Sequence, residues 1–216
     1  MMKQAGLRER KKQATRRALR ESALQLALER GPDGVRVEDI AEAAGVSPRT
    51  YNNYFPSREH AIVAAVTAER EAQVAVAVAA QPSDVRLSDA IADAIVEQYA
   101  DPGEHRRDAL LLITTHPALR EVFLGGTSAL EQPLARAIAD RLDGADDRTA
   151  RVLAASVAAA VRIALEQWLR PTTDTLTATG LVVVSGALPE QLRAALAPLA
   201  PALDAAEKSH HDAQRR

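Results

Sequence analysis

Glycine and proline fall in the gaps between long runs of helix-forming residues, and this habit decides the fold class. The runs are rich in Ala, Leu, Arg and Glu, the side chains that lose least on entering a helix. Their apolar residues return at intervals of three and four, so each run can close a core only against another helix. The pattern predicts helices over 7–30, 37–44, 47–55 and 58–80, with Gly31-Pro32, Gly45 and Pro56-Ser57 as punctuation. Further helices are expected over 87–100, 104–115, 117–142 (kinked at Gly125-Gly126 and Pro133), 146–169, 176–187 and 189–206. Thr and Val enrichment leaves a strand open at 172–184. The expectation is an all-α protein: a small three-helix head over 1–57, a larger helical body over 58–206 and a flexible tail over 207–216.

Charge separates the two ends. Residues 1–60 hold 12 Lys/Arg against 8 Asp/Glu, and the remainder 15 against 21, which together give the net charge of −2. Eight of those cations stand in the first twenty residues (Lys3, Arg8, Arg10, Lys11, Lys12, Arg16, Arg17 and Arg20), with Glu9 as the lone acid. A basic block on a nearly neutral chain points to an anionic partner, nucleic acid or membrane surface. The absence of cysteine removes disulfides, thiolate metal sites and thiol nucleophiles. Apolar runs such as 152–161 and 181–184 fall far short of the roughly 18 residues that cross a bilayer. Basic residues 1–20 lack the apolar stretch of a signal peptide, so a cytoplasmic protein is expected. The five histidines (His60, His105, His116, His210, His211) have no metal-binding spacing, and no nucleophile elbow, P-loop or dinucleotide glycine motif occurs. Neither catalysis, nor a cofactor, nor a metal is expected.

Residues 37–55 read VEDIAEAAGVSPRTYNNYF. Ile40, Ala41 and Ala44 share a helical face, and the alanines let a second helix come close. Gly45 stands where the first helix must stop at a positive φ. Ser47 is an N-cap able to accept from the amide of Thr50, and Pro48 suits a first helical turn. Tyr51 and Phe55, four apart, anchor the second helix. Pro48, Arg49, Asn52 and Asn53 are thereby turned outward, with Thr50 near the leading edge. Helix, glycine turn and short helix with polar residues outside is the helix-turn-helix pattern, whose second helix enters a DNA major groove. Arg and Asn grip guanine and adenine edges bidentately, while the basic first helix suits phosphates.

In residues 19–66, L-x6-L-x4-G is followed by VEDIAEAAGVS and then RTYNNYFPSREHAI. This closely resembles the DNA-binding head of TetR-type transcriptional regulators. The resemblance implies base or phosphate contacts from Ser47, Pro48, Arg49, Thr50, Asn52, Tyr54 and Arg58, and from Arg17 on the first helix. The chain departs from the family in two places. Arg36 stands where Thr or Ser usually caps the second helix; it cannot cap, a loss of about 1 kcal/mol, but still reaches a phosphate. Asn52 replaces the usual aromatic of the recognition helix and is followed by Asn53, which shifts the expected readout towards adenine.

The resemblance also implies a body that dimerises through its last long helices and encloses an effector pocket. Val152, Ala155, Ala159, Ile163 and Gln167 recur at three or four along 146–169 and suit close antiparallel packing in a homodimer. The stretches LLLITTHPALREVFL (110–124) and LEQWL (165–169) resemble a subset of the family with acyl-CoA-like effectors. Gln98, Tyr99, His116, Arg120 and Arg162 are the candidate pocket groups, although Arg162 and Glu166 also suit a surface pair. The whole reads as a ligand-responsive repressor binding a palindromic double-stranded DNA operator as a homodimer. The alternatives are an activator, a regulator without a ligand, or a helical interaction protein that binds no DNA.

Overall fold

The computed structural model describes residues 2–68, 70–100, 104–142, 147–169 and 187–214; the side chains of 2–7, 71, 100, 104–107 and 210–214 are outside the description. Among the described residues every regular element is helical. The helix or strand expected at 172–187 therefore lies almost wholly outside them. The helices form two compact units, one from 1–68 with 103–123, the other from 69–102 with 124–216. The first unit thus reaches past the head boundary drawn at 57 and takes in a later pair of helices.

In the first unit, α1 (Met2–Arg30) ends at Gly31, whose φ of 75° places it in the left-handed region. Leu19, Ala23, Leu26 and Ala27 form its buried stripe and pack mainly against α4 (Arg58–Thr67). A 3-10 turn (Pro32–Gly34) leads to α2 (Val37–Ala43) and then α3 (Pro48–Tyr51). Ile40, Ala41, Tyr51, Phe55, Ala61 and Ile62 complete this core. Further along the chain α7 (Glu104–Thr115) packs on α1 and α4, and α8 (Pro117–Gly125) begins in the same unit.

The helix expected over 58–80 is two helices. α4 stops at Thr67 with Ala68 as its C-cap, and α5 (Arg70–Ala80) starts afresh in the second unit. Neither Gly nor Pro marks the break. Val63 and Val66 are buried in the first unit, whereas Arg70 is buried in the second with its guanidinium 4.3 Å from the centre of the Tyr99 ring. The interruption follows this change of packing partners.

The second unit surrounds α10 (Asp147–Trp168), which lies against α9 (Glu131–Arg141) and α11 (Leu188–Leu196). α5 packs on α9 and α6 (Leu87–Ala100). The expected 117–142 helix breaks at Gly125, passes through a 3-10 turn (Gly126–Leu130) and resumes with Pro133 in the first turn of α9, where proline is tolerated. The 189–206 helix likewise breaks at Ala197–Leu199, and α12 (Ala200–Gln214) carries on through most of the expected tail. Glu207 anchors the middle of α12. Its carboxylate accepts from the Leu87 amide at 3.0 Å and from Arg141 Nε at 3.4 Å, which ties α12 to the start of α6. Arg141 in turn donates to the carbonyls of Gln81, Pro82 and Val85, holding the loop between α5 and α6.

Candidate nucleic-acid interface

The helix-turn-helix is built by local rules that the structure satisfies one by one. Gly45 adopts φ 69°, and the Gly45 and Val46 amides donate back to Glu42 and Ala41 carbonyls at 3.0 and 2.9 Å. Ser47 Oγ accepts from the Thr50 amide at 3.1 Å and lies 3.0 Å from Thr50 Oγ1. This cap starts α3 with Pro48 in its first turn, where the missing amide costs nothing. The helix closes after one turn: Asn52 is its C-cap, and Asn53 and Tyr54 lie in the turn beyond, short of the Phe55 end expected from sequence.

Its inner side is fixed by aromatic residues. Tyr51 and Phe55 are buried with ring centres 5.9 Å apart, and the Arg16 guanidinium covers the Phe55 ring at 5.5 Å. Tyr51 Oη donates to the Ser57 carbonyl at 2.8 Å, pinning the turn that leads into α4. Burial, reinforced by the nearby Glu59 charge, pushes the Tyr51 phenol well above its ordinary pKa, so it remains a donor throughout the physiological range. Burial opposes ionisation of Glu59, but hydrogen bonds from Ser57 and Arg58 outweigh it and hold the carboxyl below its ordinary value.

The outer side carries Pro48, Arg49, Asn52 and Asn53, all exposed, with Thr50 and Tyr54 half-buried at its margins. Arg17 and Arg36 are also exposed. Arg36 makes no side-chain cap, because a guanidinium has only donors. The start of α2 is secured instead from within, by Asp39 accepting from the Arg36 amide at 3.1 Å. An acid three residues after the cap position was the sequence signal for this half of a capping box.

Arg58 is occupied differently from the other expected contacts. Its Nη1 donates to the Val35 carbonyl at 2.9 Å and the Asp33 carbonyl at 3.3 Å, and its Nε to Glu59 at 2.8 Å. It clamps the turn between α1 and α2 onto the start of α4. His116 reaches the same turn, with Nε2 3.3 Å from both carboxylate oxygens of Asp33. A residue expected in an effector pocket is thus engaged with the head's own turn, across 83 positions of sequence.

The remaining effector candidates belong to both units. Arg120, in the first unit, has a buried Nε without a hydrogen-bond partner, as does His116 at Nδ1. Tyr99 is buried under Arg70 in the second unit, with Gln98 half-buried beside it. Arg162 is exposed and pairs with Glu166 one turn on. On α10 the expected dimer residues lie outside the core: Val152 is 59% exposed and Ile163 44%, Ala159 and Gln167 are exposed, and Ala155 is half-buried. Beside Val152 and Ala155 an open groove of about 380 Å³ is bordered by Glu131, Gln132, Arg148 and Arg151.

Residues 19–65 match the family described as bacterial regulatory proteins, tetR family, and residues 85–204 match the MftR C-terminal domain. HTH-type transcriptional regulator TcmR of Streptomyces glaucescens is 33% identical over 181 residues, which span 78% of this chain and 80% of that one. The solved structure of Thermus thermophilus FadR, a TetR family transcriptional repressor in complex with lauroyl-CoA, superposes with a TM-score of 0.51. At 22% identity it covers 85% of this chain and 92% of that chain, so the fold is shared.

Proposed function

This chain belongs to the tetR family of bacterial regulatory proteins, and from that premise we propose that it is a ligand-responsive repressor that binds a palindromic operator as a homodimer. The carrying observation is the division of the α3 region. Tyr51 and Phe55 hold it from inside, while Arg49, Asn52 and Asn53 present donors and acceptors outside, the chemistry that reads guanine and adenine edges. Arg17 and Arg36 supply phosphate contacts, and Arg58 fixes the turn between α1 and α2.

The stripe of exposed Val152, Ala159 and Ile163 with half-buried Ala155 on α10 supports pairing of two copies. A symmetric pair places two recognition helices about 34–36 Å apart, one turn of duplex. The effector is an acyl-CoA-like amphiphile, a reading supported by the resemblance of 110–124 and 165–169. Such a ligand releases DNA by binding more tightly to the conformation whose heads no longer match the operator. The protein acts in the cytoplasm, where the DNA is.

Selection of duplexes from a random pool tests the reading. A palindrome with half-sites one turn apart should emerge, and long-chain acyl-CoA should release it. Arg49→Ala should cost about 1–3 kcal/mol of discrimination between this duplex and a scrambled one. Arg17→Ala should instead weaken both alike and flatten the salt dependence. Equal wild-type affinity for palindrome and scramble would refute the proposal.

A further inference from the structure

The stripe by which α1 packs into the head changes chemistry halfway along the helix. Arg8, Lys12, Arg16, Leu19, Ala23 and Leu26 follow one another at four, four, three, four and three, which keeps them on one side of the helix. Leu19, Ala23 and Leu26 are buried; Arg8, Lys12 and Arg16 are exposed. Arg16 marks the changeover, with its guanidinium over the Phe55 ring at the end of the recognition segment. Beyond it, residues 8–14 are all exposed. Their seven positions carry about 10 Å of helix past the last packed turn.

Carboxylates at i±4 stabilise an exposed basic helix, and Arg8 and Lys12 have none at that spacing. Glu9 is the sole acid between residues 2 and 20, and it lies off the stripe, accepting from Gln13 at 2.8 Å. Arg8–Lys12 and Lys12–Arg16 are like-charge pairs at i,i+4, each costing the helix about 0.2–0.5 kcal/mol. Glu9, three residues before Lys12, is the one acid of this stretch within reach of the pair, and it already accepts from Gln13. The ridge continues the face that holds Phe55, and so continues the side of α1 that supports the recognition segment.

We propose that Arg8 and Lys12 form a second DNA-contacting surface, which grips backbone phosphates in the duplex flanking the half-site read by α3. The inference rests on the operator reading above and adds to it a contact without sequence preference. The ridge lengthens the footprint and not the recognised sequence, because ammonium and guanidinium groups on phosphate carry no base information.

The test uses the selected palindrome in two lengths, one trimmed to its ends and one extended by about a helical turn of arbitrary sequence on each side. Wild-type protein should bind the longer duplex roughly tenfold more tightly at low salt, and the double variant Arg8→Ala/Lys12→Ala should bind both equally. The salt slope on the longer duplex should fall by about 0.9 for each phosphate that the variant leaves unneutralised. Preference for palindrome over scramble should be unchanged in the variant. Circular dichroism and Tm report whether the variant folds, and both side chains are exposed, so neither reading should fall. A flank gain that is absent in wild type, or equally large in the variant, overturns the ridge and leaves α3 as the reader. Wild-type protein that ignores the palindrome, yet needs Arg8 and Lys12 for length-dependent binding, overturns the operator reading and keeps the ridge. Loss of phosphatidylserine-vesicle binding in the variant, with the flank gain intact, assigns the ridge to a membrane surface and overturns the proposal.

Discussion

Both α3 and α10 have one side in the core and one side outside it, but their outer sides differ in chemistry and in how they are held. α3 is a single turn secured by a serine cap and two aromatic rings, and its outer residues are Arg49, Asn52 and Asn53. α10 is 22 residues long, is secured by Leu153, Val157, Val161 and Leu165, and leaves Val152, Ala159 and Ile163 outside. Directional hydrogen-bonding groups on a rigid short segment suit a partner whose edges carry a donor and acceptor code. Apolar and small groups along a long helix suit another helix, where close approach and area decide the affinity. Exposure alone says only that a partner has room; the chemistry of the exposed side chain says which kind.

The largest expected effect strikes the support of α3. Tyr51→Ala removes a fully buried ring and its bond to the Ser57 carbonyl, a change of the class that costs about 3–5 kcal/mol. A thermal melt should show the first unit weakened and operator binding abolished, and a variant that still binds DNA normally would break the account of how α3 is held. Next comes the outer face of α10. Val152→Asp combined with Ile163→Asp should convert a dimer to monomers in sedimentation while leaving the helix content unchanged. Operator affinity should then drop on the order of a hundredfold, because the second head no longer binds as part of the same molecule. A dimer that survives would show that α10 pairs with nothing. The smallest effect concerns the cap: Ser47→Ala should destabilise by about 1 kcal/mol, read as a small drop in Tm and a weaker duplex complex, with Ser47→Thr largely restoring both.

Local chemistry made the centre of the head readable from sequence. Gly45, Ser47 and Pro48 each act within five residues of themselves, and Tyr51 and Phe55 stand four apart, so spacing alone predicts the turn, the cap and the buried side. The features that escaped are those set at a distance. The break between α4 and α5 has no glycine or proline, and the first residue of α5, Arg70, meets a ring 29 positions later. Arg58 sits in the right place for a phosphate contact, yet the Val35 and Asp33 carbonyls, more than twenty residues earlier, occupy its guanidinium. His116 has a partner 83 positions away, and no periodicity announces it. Asp39 is the exception among these: its bond to the Arg36 amide spans three residues, so the start of α2 was legible from local spacing, although the cap position itself holds a residue that cannot accept.

The separation of duties around α3 bears on how such a protein changes over generations. Ser47, Tyr51 and Phe55 hold the segment, while Arg49, Asn52 and Asn53 contribute no packing to it. Three codons can therefore be rewritten with little penalty to folding, so a duplicated copy is able to acquire a new target site in small steps while remaining a sound molecule at each one.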